Sequence, residues 1–177
     1  MTRKMQDSKT HDCLAVPKAH QGHSTMNEQA LFQAGVGGYH TYRIPVLTVT
    51  CTGTVLAFCE RRRHDSSDFG DIDLLLRRST DGGRNWQPVQ VVWDAGADTI
   101  GNPCPVVDRA TGVIWLACCR NNDHVYVLKS DDDGQRWSAP VDITAAVKHP
   151  EWGPIGTGPV HGVQLRKIGR ASCRERV

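Results

Sequence analysis

One short pattern occurs twice in this chain and narrows the folds open to it. Ser-x-Asp-x-Gly-x-x-Trp is formed first by Ser79, Asp81, Gly83 and Trp86, then 51 residues later by Ser130, Asp132, Gly134 and Trp137. The similarity extends outward from both copies. Ahead of the first lie RIPVLTVT (43–50), a Thr52-Gly53 turn, TVLAFCER (54–61) and DIDLLLRRS (71–79). Ahead of the second lie NPCPVVD (102–108), a Thr111-Gly112 turn, VIWLACCR (113–120) and HVYVLKS (124–130). A short apolar run follows each tryptophan, PVQVVWD (88–94) and PVDIT (140–144). Runs rich in Val, Ile and Leu, bounded by Gly, Pro and Asp, read as β-strands, and no repeated segment keeps a helical period. Four strands per unit, repeating at about 40–50 residues, are the signature of β-propeller blades. The expectation is an all-β chain with two blades and a third opening at GPVHGVQL (158–165). IDLLL and VYVL, apolar at successive positions, fit strands covered on both faces.

The repeated turn has a physical reading of its own. Ser and Asp side chains can accept hydrogen bonds from backbone amides, glycine supplies a positive φ, and the tryptophan can fold back beneath the turn as an apolar plug. Such a turn ties the third strand of a unit to its fourth. A catalytic acid has no reason to recur once per blade, so Asp81 and Asp132 are read as structural.

Composition excludes several other functions. The net charge is +2, but the last twelve residues, RKIGRASCRERV, hold five basic residues against one glutamate and so account for +4. The remainder is slightly acidic and offers no footprint for nucleic acid. No apolar run approaches the roughly 18 residues of a membrane helix, and the polar start of the chain lacks the apolar core of a signal peptide. Seven cysteines without a C-x-x-C pair, several of them inside apolar runs, argue for buried thiols rather than a disulfide framework. The eight histidines are scattered, and the one close pair, His20 and His23, lies in the polar leader, so no metal site is expected.

The two Asp boxes, the YRIP stretch (Tyr42, Arg43, Ile44, Pro45) ahead of the first, and the segment FCERRRHDSSDFGDIDLLLRRSTDGGRNW together resemble the sialidase (neuraminidase) family. The resemblance runs from about residue 37 to 165. It divides the chain into a polar leader (1–36), a partial sialidase-type propeller (37–165) and a tail (166–177) that matches nothing in the family. It implies a six-bladed catalytic domain, of which this chain would supply the first two blades and the start of a third. The activity implied is that of an exo-alpha-sialidase, a retaining glycosidase that releases terminal sialic acids from glycoproteins, glycolipids or oligosaccharides. No cofactor, metal or partner chain is implied, and the compartment is left open. The chain alone is expected to be inactive. The alternative is a non-enzymatic Asp-box propeller that binds glycans or proteins.

Site residues follow from the same resemblance. A sialic acid carries a carboxylate on its anomeric carbon, and guanidinium groups meet a carboxylate with paired, charge-assisted hydrogen bonds. Arg43 matches the first arginine of the family's cluster, with Pro45 expected to hold Ile44 extended. Arg62 matches the second, although Arg61 and Arg63 stand on either side. Asp68 matches the acid/base that protonates the departing oxygen and then activates water, a task that calls for a proton held near neutral pH. Asp65, Asp71 and Asp73 compete for that role. Asn102, in GNPCP (101–105), matches a residue near the sugar's hydroxyls. Sialidases use a tyrosine nucleophile in place of a carboxylate. A neutral phenol avoids repulsion with the substrate's own carboxylate until the bond forms. That tyrosine, its glutamate partner and a third arginine have no matching segments here.

Overall fold

The computed structural model describes residues 28–165. His20, His23, Cys13 and Cys173, most of the leader and the whole 166–177 tail lie outside the described residues. Eight strands form two four-stranded antiparallel meanders. The first sheet contains β1 (Thr41–Val49), β2 (Val55–Arg62), β3 (Ile72–Ser79) and β4 (Gln90–Trp93), hydrogen-bonded in chain order. The second repeats this with β5 (Ile100–Val107), β6 (Ile114–Arg120), β7 (His124–Ser130) and β8 (Val141–Asp142). A single helical turn, α1 (Thr144–Val147), follows. No helix among the described residues is long and apolar enough to cross a membrane.

The sheets share one core. Leu56, Phe58, Leu74 and Leu76 from the first meet Ile100, Ile114, Leu116 and Leu128 from the second, all essentially without exposure. Two edge-to-face aromatic pairs lie across the same boundary, Phe58 on Trp137 at 5.7 Å and Trp93 on Tyr126 at 4.9 Å. Strand β3 is buried on both faces, as its sequence suggests. Strand β7 is not, since Tyr126 and Val127 remain half-exposed. The segment 158–165 forms no strand. It touches β5 through a hydrogen bond donated by the Gly162 N–H to the Pro105 carbonyl at 2.8 Å, and a strand needs a continuous ladder.

Both Asp boxes are wired alike. Ser79 Oγ donates to Asp81 Oδ1 at 2.8 Å and accepts from Gly83 N–H at 2.9 Å, while Asp81 Oδ1 accepts from the Arg84 and Asn85 amides. In the second box Ser130 Oγ donates to Asp132 Oδ1 at 2.9 Å and accepts from Gly134 N–H at 2.9 Å, and Asp132 Oδ1 accepts from the Arg136 amide. Trp86 donates its indole N–H to the Gly83 carbonyl, and Gln87 N–H bonds back to Arg78 O, which ties β3 to the chain leading into β4. The second turn also docks on the first sheet: the Thr52 and Thr54 hydroxyls donate to the Asp133 carboxylate, and Arg78 Nε donates to the Asp133 carbonyl.

These contacts give the fold an acid-sensitive element. The Asn85 backbone amide, with the Asn85 and Ser79 side chains, holds the Asp81 carboxyl down at about 2. Burial opposes ionisation of Asp132, but the Arg136 side chain and amide overcome it and also bring that carboxyl to about 2. An unfolded aspartate titrates near ~3.9. Both groups therefore contribute stability that is present above about pH 4 and lost as pH falls through about 2. The urea midpoint should decline over that window, and Asp81→Asn should flatten the decline; an equally steep acid limb in the variant would contradict this.

Candidate functional site

The boxes lie at one end of the sheets and a polar cleft lies at the other, as the strand directions require. Strand β2 runs from the box end at Val55 to the cleft end at Arg62, and β3 returns. The cleft, of about 380 Å³, is lined by Arg43, Ile44, Glu60, Arg62, Asp68, Phe69, Thr99, Asn102, Asn122 and the strap 154–156. All four residues singled out for catalysis or substrate binding are thus brought together, from β1, β2, the β2–β3 loop and β5.

Two matching bulges shape its floor. Arg43 pairs with Glu60 and Val46 with Phe58, so Ile44 and Pro45 stand opposite the single residue Cys59. Gly101 pairs with Cys119 and Cys104 with Ala117, so Asn102 and Pro103 stand opposite Cys118. A proline cannot donate to a ladder and is tolerated where the ladder is broken. Ile44 and Asn102 both take φ near +56. This corrects the expectation of an extended Ile44: the bulge must reverse the local backbone within one residue, and that demand overrides the preference set by Pro45. Asparagine tolerates a positive φ, whereas for a β-branched isoleucine it costs about 1–3 kcal/mol. Such strain persists only where the surrounding structure fixes the backbone, and here it lies directly beside Arg43.

Alternation at the end of β2 and in the residue after it separates the three arginines. Arg61 lies over the Tyr39 ring, 3.6 Å from its centre, and pairs with buried Asp73 at 2.5 Å. Arg63 donates to Asp71 at 2.6 Å and to the Tyr39 hydroxyl at 3.0 Å. Arg62 points to the opposite side, into the cleft, with only 3% of its side chain exposed. The rival carboxylates are engaged elsewhere: Asp71 and Asp73 with those arginines, and Asp65 in accepting from the Ser67 amide. Asp68 alone of the four lines the cleft.

Asp68 Oδ1 lies 2.8 Å from Arg62 Nη1 and 3.1 Å from Arg43 Nη1. Its side chain is 62% exposed and that of Arg43 is 44% exposed, so Asp68 and Arg43 meet solvent at the cleft mouth while Arg62 forms its wall. Arg62 also donates to the Ser66 and Ser67 carbonyls, each at 2.7 Å, and through Nη2 to Glu60 Oε2 at 2.6 Å. Burial works against the Arg62 charge, but the hydrogen bonds to Glu60 and Asp68 outweigh it and raise its pKa. Asn102 donates its side-chain amide to Asn122 Oδ1 at 3.0 Å. Behind the bulge, burial pushes the Cys59 thiol up to about 12, and it donates to the Arg43 carbonyl. It is a packing group, not a thiolate nucleophile.

Glu60 and Asn122 were not singled out from the sequence. Glu60 is hidden in a run of charges, although its two-residue offset from Arg62 places both on one face of a strand. Asn122, in the β6–β7 turn, reaches the cleft only through packing of the two sheets. None of the described tyrosines lines the cleft.

Stacked four-stranded antiparallel meanders, each closed by an Asp box, with an arginine–carboxylate cleft at the far end, define a repeat-built β protein with a polar site across neighbouring units. Residues 43–173 match the BNR repeat-like domain. The chain belongs to that family, and most of its length is similar to sialidases. It is 34% identical over 160 residues to an exo-alpha-sialidase of Aspergillus fumigatus, a match spanning 72% of this chain and 39% of the relative. With a sialidase of Bacteroides fragilis it shares 30% over 161 residues, covering 75% of this chain and 30% of the relative. A solved Hadza microbial sialidase superposes with a TM-score of 0.66 at 30% identity, over 75% of this chain and 32% of that structure. The chain therefore spans well under half the length of these relatives.

Proposed function

We propose that this chain carries part of the active site of a retaining exo-alpha-sialidase built as a six-bladed propeller. The two sheets are its first blades. Arg43 and Arg62 receive the carboxylate of a terminal sialic acid, Asn102 faces the sugar's hydroxyls, and Asp68 protonates the departing glycosidic oxygen before activating water. One observation carries the reading: the Arg43 and Arg62 guanidiniums, from neighbouring strands, converge on one carboxylate oxygen of Asp68 in one cleft. Two guanidiniums that already share an aspartate oxygen have the geometry to take a ligand's carboxylate. Arg43 is the more open of the two: it meets solvent and donates to one loop carbonyl, whereas the buried Arg62 is engaged by Glu60 and two loop carbonyls.

The tyrosine nucleophile, its glutamate and the third arginine would be supplied by the remaining blades. The substrates are sialylated glycans or glycolipids, and the 177-residue chain alone has no appreciable turnover. The test is to follow sialyllactose hydrolysis by the full-length protein with proton NMR. Release of sialic acid first as its α anomer is expected. Initial release of the β anomer would overturn the retaining mechanism, and absence of hydrolysis would overturn the activity.

A further inference from the structure

The groups around the cleft close into a ring that crosses both sheets. Arg62 Nη2 donates to Glu60 Oε2 at 2.6 Å, and Glu60 Oε1 accepts from the Asn102 backbone N–H at 2.9 Å. Asn102 Nδ2 donates to Asn122 Oδ1 at 3.0 Å, and Asn122 Nδ2 donates to the Asp68 carbonyl at 3.0 Å. Asp68 Oδ1 returns to Arg62 Nη1 at 2.8 Å. Two members of this ring have no part in the proposed chemistry. Glu60 is a buried carboxylate, 4% exposed, with each oxygen committed to a different sheet. Asn122 is held by the β6–β7 turn in a left-handed conformation, with φ of 52.

We propose that Glu60 and Asn122 are positioning residues for the acid, holding the Asp68 loop of the first sheet in register with the second. The inference rests on the sialidase reading of the same cleft. Glu60 acts at one remove, by turning the Arg62 guanidinium so that Nη1 faces the loop. Asn122 acts on the loop backbone itself. Next along the loop, Gly70 N–H donates to Thr99 Oγ1, and that hydroxyl donates back to the Gly70 carbonyl, each at 2.9 Å. The loop is thus pinned to the second sheet at two adjacent points, with Asp68 at the one that reaches the cleft. Gly101 keeps Glu60 in place by lacking a side chain: a Cβ there would collide with Glu60 Oε1. Glu60→Gln keeps the volume and an acceptor for Asn102, but it turns an amide toward the Arg62 donors and breaks the ring at that bond. Asn122→Ala cuts the ring on its other side, in a half-exposed turn, and does not depend on how well the Glu60 variant folds.

In the first step a misplaced acid matters only where the leaving group needs a proton, and kcat/KM reports that step for both substrates. The full-length protein and both variants should be assayed on sialyllactose, whose leaving group is a sugar alkoxide, and on a nitrophenyl sialoside, whose leaving group departs unaided. Each variant is expected to lose about 10–100-fold in kcat/KM on sialyllactose while its kcat/KM on the nitrophenyl substrate stays within about threefold of wild type. The double variant should lose little more than the worse single one, as groups acting through one ring are not additive. Equal losses on both substrates, or no loss on either, would overturn the positioning role. Wild-type protein inert on both substrates would instead overturn the sialidase reading, and this inference with it.

Discussion

Asp68→Ala is expected to cut kcat on sialyllactose by about 10²–10⁴-fold, the range over which a positioned general acid–base acts, with the fold left intact. The loop that carries Asp68 does not rely on its side chain. Arg62 grips the Ser66 and Ser67 carbonyls, Asn122 holds the Asp68 carbonyl, and Thr99 holds Gly70. What alanine removes is a carboxylate 62% exposed, paired with Arg43 and Arg62. An ion pair on so open a carboxylate contributes about 0–1 kcal/mol to stability. Steady-state kinetics and a thermal melt on the same preparation of full-length protein separate the two effects. Near-wild-type turnover would remove Asp68 from the acid's role. A large drop in melting temperature would show the residue to be structural.

Arg62→Ala should have the opposite balance, with a stability loss of about 3–5 kcal/mol from stranding a buried charge. Glu60 would keep its bond from Asn102 but face no cation, the Ser67 carbonyl would lose its donor, and the Ser66 carbonyl would keep only the longer bond from Arg43 at 3.2 Å. Arg62→Lys keeps the charge without the fork. One ammonium cannot span Glu60 on one side and Asp68 with two carbonyls on the other, so lysine should restore only part of the loss. Urea unfolding of the three proteins measures this directly. A change below about 1 kcal/mol for alanine would mean that Glu60 finds water or another donor, and that the ring is looser than its distances imply.

The strands were legible in the sequence because their cause is local. Val, Ile and Leu runs ended by Thr-Gly, by Asp boxes or by proline locate all eight strands, and β7 agrees at both ends, His124 and Ser130. The Asp boxes were equally legible, since Ser79, Asp81 and Gly83 interact within five residues of one another. Arg43, Arg62 and Asp68 could be picked out by resemblance, but not that Arg62 forms the buried wall of the cleft while Arg43 and Asp68 stand at its mouth. That depends on which face of β2 meets the second sheet, a property of packing. The same packing decides that Arg61 and Arg63 lie on Tyr39 while Arg62 enters the cleft.

What stayed hidden depends on pairing between strands. The bulge at Ile44-Pro45 is visible only as a shift in register against β2, and its twin at Asn102-Pro103 only against β6. Once both are seen, the repeat proves to include the site as well as the turn at the far end. Each unit contributes an X-Pro bulge at the cleft and an Asp box opposite. The first bulge presents Arg43 and the second presents Asn102.

The most direct measurement is a crystal structure of the full-length protein soaked with sialic acid. The sugar is expected in this cleft, its carboxylate on the Arg43 guanidinium and its ring hydroxyls toward Asn102, with the Asp68 side chain turned away from Arg43. A sugar bound elsewhere on the protein, or one in the cleft whose carboxylate does not touch Arg43, would contradict it.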